Sequence, residues 1–226
     1  MPNLRQTAEA LLRRFREAPD RVAGESERVK SAFTRAYVLN LWEDPESRSG
    51  PGSTLARTEA LRSQVPALFA ELGIRSVLDV GCGDFNWFRT LDLGAIEYTG
   101  VDVVTELIEE NRKRYGGPNR RFLPLEISTE VPPRADLAFC RDCWVHLPNA
   151  QVLAAIRSLR TSGAGYLLAT TFPGHGENRD IPLGDWRPVD LALAPFSLGA
   201  PLRLLSEGRS VEDDAYTDKS MGLWKL

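Results

Sequence analysis

Between Ser76 and Phe172 the chain alternates short apolar runs with helical patterns, and that rhythm leaves few folds open to it. "SVLDV", "YTGVDVV", "RRFLPLEI", "ADLAFC" and "GYLLATTF" are apolar runs of strand length set between turn signals. Phe85 to Leu91, Glu106 to Tyr115 and Asn149 to Thr161 read as helices between them. The last carries Val152, Ile156 and Leu159 on one face and stops at Gly163. Such alternation builds βαβ units, hence a mostly parallel sheet covered by helices on both faces. Ligands of these sheets sit beyond the carboxyl ends of the strands, so functional residues are expected there.

Upstream, the pattern to about Trp42 is helical, and "EDPESRSGPGST" interrupts it with prolines and glycines. Ser53 or Thr54 is placed to cap a following helix that carries Leu55, Leu61, Val65, Leu68 and Leu72 and ends at Gly73. This divides the chain into an N-terminal helical cap, 1–54, and an α/β domain, 55–226. A length of 226 residues suits one core with an appendage. A net charge of -3 argues against a nucleic-acid partner, and the lack of any long apolar run argues against a membrane one. Three irregularly spaced cysteines suit a reducing compartment, so the chain reads as cytoplasmic.

The first run leads into "VLDVGCGDFNW", where Asp79, Gly81 and Gly83 form D-x-G-x-G. Glycine lets the backbone turn sharply and a ligand come close. A second acid, Asp102, closes the next run, where a carboxylate can accept both hydroxyls of a ribose. The pair indicates a nucleoside-containing cofactor without choosing one. A dinucleotide fingerprint would want a third glycine where this chain has Asn86. "FCRDCWVHLPN" brings Cys140, Cys143 and His146 to metal-ligand spacing, but a closed zinc site wants four ligands, usually as two close pairs, and only Cys82, in the glycine loop, and His175 remain to complete one, so no metal is expected. Asp142 and His146, four apart, share a face if this segment is helical, and a histidine oriented by a carboxylate can take a proton near neutral pH.

The glycine stretch resembles the first motif of class I S-adenosylmethionine-dependent methyltransferases. The order of elements fits that family's Rossmann-like seven-stranded sheet, with "KSMGLWKL" as the antiparallel strand inserted beside the fifth. The resemblance implies S-adenosylmethionine as cofactor and S-adenosylhomocysteine as product. It puts Asp79 toward the cofactor's amino group, Gly81 and Gly83 under its methionine part, Asp102 and Val103 at the ribose, and Glu126 and Ile127 by the adenine. The family commonly has Asp where this chain has Glu126. "SRSGPGST", "CGDFNW", "CRDCWVHL", "TTFP", "WRPVDLALAPF" and "LLSEG" are together similar to an uncharacterised group of bacterial small-molecule methyltransferases. The segment around Asp142 and His146 is also similar to an Arg-Asp-x3-His stretch of phosphoethanolamine methyltransferases, in which that Asp and His act at the acceptor.

The expectation is methyl transfer to N or O of a small polar acceptor, with His146 and Asp142 positioning or deprotonating it. Arg141 contacts the cofactor or the acceptor, and Ser49 or Ser53 reaches the cofactor's carboxylate from a loop folded over it. Tyr37 and Trp42 of the cap, with Phe172, His175, Trp186 and Arg187 of the long segment after the fifth run, are expected to form the acceptor pocket. A nicotinamide-dependent oxidoreductase and a non-catalytic S-adenosylmethionine-binding subunit are the alternatives, and the sequence leaves the oligomeric state open.

Overall fold

The computed structural model describes residues 24–208 and 217–226, so the expected helical start before residue 24 lies outside it. Seven strands form one sheet: β1 Ser76–Val80, β2 Glu97–Asp102, β3 Arg120–Pro124, β4 Leu137–Cys140, β5 Tyr166–Thr171, β6 Arg203–Ser206 and β7 Ser220–Lys225. Their order is β3-β2-β1-β4-β5-β7-β6. The first five run parallel, and β7 lies antiparallel between β5 and β6. The order reverses between β1 and β4, which opens a crevice at their carboxyl ends.

Among the described residues four helices accompany the sheet: α1 Glu25–Val38, α2 Glu59–Leu72, α3 Thr105–Tyr115 and α4 Asn149–Ser162. The strands split their side chains by alternation. Val77, Phe139, Leu168 and Leu223 face a core shared with Leu61, Val65 and Phe69 of α2 and Leu107 and Ile108 of α3. Leu78, Val80, Ala138, Leu167 and Ala169 face the other way, onto Val152, Ile156 and Leu159 of α4 and onto Val189, Leu191 and Phe196. Both faces are therefore covered, as the apolar runs require.

Three details depart from the sequence reading. The helix expected over Phe85 to Leu91 is only a 3-10 turn, Phe88–Thr90. Phe85 takes a positive φ of 58°, which an α-helix does not admit, and Phe85 and Phe88 fill the face in place of helical turns, their rings 4.8 and 5.2 Å from Tyr98. The third run ends at Pro124, so Glu126 and Ile127 follow β3 instead of closing it. The helix after the Pro-Gly break starts at Glu59, because Thr54 first closes a separate turn in which its hydroxyl accepts from Arg57 N–H at 3.3 Å and its carbonyl from the Thr58 hydroxyl at 2.8 Å.

Candidate cofactor and acceptor site

The site grows from the carboxyl ends of β1 and β2. Gly81 and Gly83 take φ of 71° and 54°, the left-handed region that favours glycine. The N–H groups of Gly81 and Cys82 donate to the Val101 carbonyl at 2.9 and 3.1 Å, which ties the loop to β2. Asp102 accepts Gly83 N–H on Oδ2 at 3.2 Å and Val104 N–H on Oδ1 at 3.1 Å. Each oxygen keeps a second lone-pair direction for a ligand hydroxyl. Burial pushes the Asp102 carboxyl above its ordinary range, and those N–H donors oppose the push. Asn111 of α3 donates to the Gly83 carbonyl at 2.8 Å and so fixes the loop from below. Asp79 lies deeper and accepts the Tyr98 hydroxyl at 2.6 Å. Burial raises its pKa to about 7 despite that bond. Val103 packs on the core beside this loop. Glu126 holds its own turn through Ser128 N–H at 2.9 Å, and Ile127 is buried in the second core.

A strap from Glu46 to Leu55 lies directly on the glycine loop. Asp84 accepts the hydroxyls of Ser47 at 2.9 Å and Ser49 at 3.1 Å and the N–H of Arg48 at 2.8 Å, while Ser49 Oγ accepts Asp84 N–H at 2.9 Å. Asn86 donates to Glu46 at 2.7 Å and to the Ser53 carbonyl at 3.1 Å. Ser49 thus serves the loop itself, and Ser53 enters through its backbone. A Cβ on Gly83 would stand 2.1 Å from Ser49 Oγ, and one on Gly52 would stand 3.2 Å from Asp142 Oδ2. The strap therefore spans the crevice from β1 to β4. Behind it, Trp42 packs on Gly50, and the Tyr37 hydroxyl donates to Glu110 of α3 at 2.7 Å. Through its phenol Tyr37 ties the cap to α3.

At the end of β4, the Arg141 side chain is buried among protein partners. Its guanidinium donates to Glu207 Oε2 at 2.5 and 3.2 Å and to the Gly52 carbonyl at 2.8 Å, and lies 5.7 Å from the Trp87 ring centroid. Asp142, at φ 52°, receives Lys219 Nζ at 2.7 Å and lies 3.3 Å from Arg141. Burial works to raise its pKa, but Arg141 and Lys219 outweigh it and hold the carboxyl below the ordinary range. The expected helical face does not form: a left-handed Asp142 precedes a 3-10 turn, Trp144–His146, and the carboxylate belongs to Lys219. His146 is oriented instead by the Asp185 carbonyl, 3.1 Å from Nδ1. A carbonyl only accepts, so Nδ1 carries the hydrogen and Nε2 presents a lone pair. Burial lowers the His146 pKa, which keeps the ring neutral near pH 7. Cys143 packs against Gly81, and among the described residues no three His, Cys, Asp or Glu side chains converge as metal ligands.

The segment after β5 clamps this turn. Gly184 N–H donates to the His146 carbonyl at 2.9 Å and Arg187 N–H to the Val145 carbonyl at 3.1 Å. The Arg187 side chain donates to the Trp144 carbonyl at 3.3 Å and to Asn149 at 2.6 Å. Phe172 is buried edge-on to Trp186, centroids 6.0 Å apart, and His175 is exposed. Phe172 and Arg187 are thus engaged within the protein. Asp84, Asn86, Asn111, Asp185, Glu207 and Lys219 are the site residues that sequence reasoning passed over. Asp84 and Asn86 stood inside the "CGDFNW" motif.

Residues 77–163 match the sequence family described as a methyltransferase domain, and this stretch contains the glycine loop, Asp102 and the His146 turn. That stretch is similar to a methyltransferase domain, in line with the resemblance of its glycine loop to class I S-adenosylmethionine-dependent methyltransferases. A curated protein similar to this chain is a ubiquinone biosynthesis O-methyltransferase of Bordetella bronchiseptica, 27% identical over 136 residues. That match covers 57% of this chain and 55% of the relative, so the chain spans about half the length of the curated relative it matches. A 1,6-didemethyltoxoflavin-N1-methyltransferase of Burkholderia thailandensis, solved with 1,6-didemethyltoxoflavin and S-adenosylhomocysteine, shares the fold with a TM-score of 0.62 at 18% identity over 92% of each chain. Magnesium protoporphyrin IX methyltransferase of Synechocystis PCC 6803, solved with bound S-adenosylmethionine, gives a TM-score of 0.57 at 14% identity over 91% of this chain and 98% of its own. No helix among the described residues is long and apolar enough to cross a membrane.

Proposed function

We propose that this chain is a class I methyltransferase that binds S-adenosylmethionine over Gly81, Gly83 and Asp102 and passes its methyl group to N or O of a small polar acceptor at His146. The convergence of two left-handed glycines and an acid with open lone-pair directions, at the crevice where the strand order reverses, carries the reading. The fit to the cofactor is chemical: Asp102 accepts ribose hydroxyls, and bare glycine backbone admits the methionine part. When bound, S-adenosylmethionine would supply an electrophilic methyl group to the acceptor's lone pair, the electron pair of the broken carbon-sulfur bond staying on sulfur. His146 takes the acceptor's proton on Nε2, with Nδ1–H held by Asp185. The strap excludes water over the crevice, and we read residues 1–54 as a cap to the methyltransferase domain 55–226. The small molecules named for the Bordetella and Burkholderia relatives support a small acceptor.

Titration calorimetry with S-adenosylhomocysteine tests the cofactor half. Asp102→Ala removes the acceptor of two charge-assisted hydrogen bonds, so affinity is expected to fall at least about tenfold. Unchanged affinity sinks the assignment. Mass spectrometry of a bacterial metabolite extract incubated with methyl-labelled S-adenosylmethionine names the acceptor.

A further inference from the structure

Beside His146 lies a charged quartet that methyl transfer, as described so far, does not use. Arg141 and Glu207 are buried, their side chains 4% and 6% exposed, whereas Lys219 and Asp142 are about a quarter exposed. Glu207 Oε2 accepts from both Arg141, at 2.5 Å, and Lys219, at 3.2 Å. Lys219 also reaches Asp142 at 2.7 Å, so one ammonium bridges two carboxylates. Glu207 Oε1, in contrast, is buried with no hydrogen-bond partner among the described residues. A carboxylate oxygen shut away from water without a donor is unfavourable, and native structures fill such vacancies with a protein group, a water or a ligand. The quartet sits where β4 ends, where β7 begins and just past β6, against Gly52 of the strap. Both Lys219 and Asp142 are close enough to act on the charge of His146.

We infer that Glu207 is the residue that selects and orients the methyl acceptor, its free Oε1 taking a hydrogen bond from an N–H or O–H of an amine or an alcohol. This rests on the methyltransferase reading and narrows it. Lys219, a flexible arm that is partly in water, is the member that swings aside to admit the ligand. Two cations and two anions balance in the quartet, so it accepts neutral and cationic donors alike. A carboxylate ligand has no hydrogen to give Oε1 and would meet its lone pairs directly. The acceptor class is therefore amines and alcohols, with carboxylates excluded.

Calorimetry on the protein saturated with S-adenosylhomocysteine tests this with matched trios: benzylamine, benzyl alcohol and benzoate, then cyclohexylamine, cyclohexanol and cyclohexanecarboxylate. An amine or alcohol is expected to bind about tenfold tighter than the carboxylate on the same skeleton, and Glu207→Gln to lose about tenfold of that affinity while S-adenosylhomocysteine binds as before. Should Glu207→Gln not fold, Lys219→Met at the partly exposed position reads the same site. Removing one cation beside two carboxylates is expected to favour each amine over its alcohol by about fivefold relative to the wild type. Tighter binding of the carboxylates, no binding by any amine or alcohol, or unchanged discrimination in the variants overturns the inference. Loss of all S-adenosylhomocysteine binding by the wild type overturns the methyltransferase reading and this inference with it. Intact cofactor binding with flat variants overturns this one alone.

Discussion

His146 shows how a backbone carbonyl can do what a carboxylate was expected to do. The Asp185 carbonyl fixes the tautomer, and burial lowers the pKa below 6.5, so in the proposed role the ring is a neutral base before neutrality. The protonated ring cannot accept a proton, so turnover falls as pH drops through that lowered pKa. The acid limb of the rate profile is therefore expected below pH 6.5, and His146→Ala is expected to lose about 10² to 10⁴ in kcat while S-adenosylhomocysteine affinity stays within about threefold. An acid limb above 6.5, or wild-type turnover in His146→Ala, refutes the assignment. Asp79 makes a stability prediction of the opposite kind. Its pKa rises from 3.8 to about 7 because burial disfavours the charge. Between those values the folded protein holds a proton that the unfolded chain has released, so stability declines as pH rises across the window and levels off above it. Asp79→Asn still accepts the Tyr98 hydroxyl but does not titrate. Thermal unfolding of the ligand-free protein is expected to show the variant without that decline and with the higher Tm at pH 8. An identical slope in both proteins excludes the buried proton.

At the scale of elements, the strap and the glycine loop are one unit. "SRSGPGST" and "CGDFNW" are separated in sequence, yet Ser47 and Ser49 close on Asp84, and Asn86 reaches the Ser53 carbonyl. Gly83→Ala imposes a Cβ 2.1 Å from Ser49 Oγ and a φ of 54° on a non-glycine residue. We expect that variant to lose about 2 kcal/mol or more of stability and to bind S-adenosylhomocysteine weakly. Ser49→Gly in the same chain removes the clash but leaves the backbone strain, so it is expected to recover part of the Tm. If the double variant is no more stable than Gly83→Ala alone, the two segments do not meet as described. The sheet, α3 and α4 were legible because their apolar periodicity is local, and Gly81, Gly83 and Asp102 because strand ends are where such loops fall. The Phe85 stretch misled because its apolar spacing suits a helix, while its conformation is set by a left-handed residue and by aromatic partners distant in sequence. Asp142 and Arg141 misled for the same reason. Their partners, Lys219 and Glu207, arrive from the ends of strands more than 60 residues on, which no spacing rule reports.

The whole molecule depends on the late insertion of β7. Each of its six residues is paired with β5, and four of them also with β6, so this strand joins the edge of the sheet to its centre. Met221, Leu223 and Trp224 are 0%, 3% and 3% exposed and contribute to both cores. Truncating one such side chain typically costs about 2 to 5 kcal/mol, so losing three together reaches the whole net stability of an ordinary domain, about 5 to 15 kcal/mol. Lys219 precedes the strand, which makes the placement of the quartet beside His146 a consequence of the same insertion. Deleting residues 220–226 would also strip β5 of a partner and leave its N–H and C=O groups open to other chains. That deletion is expected to yield aggregated protein without a cooperative thermal transition. Leu202→Lys, just ahead of the outermost strand at a side chain 65% exposed, is expected to shift Tm by no more than about 2 °C. Circular dichroism melts and light scattering on the two variants decide the matter. A soluble, cooperatively melting deletion variant would show that the five parallel strands hold the fold without β7, and the link from strand insertion to acceptor site would be lost.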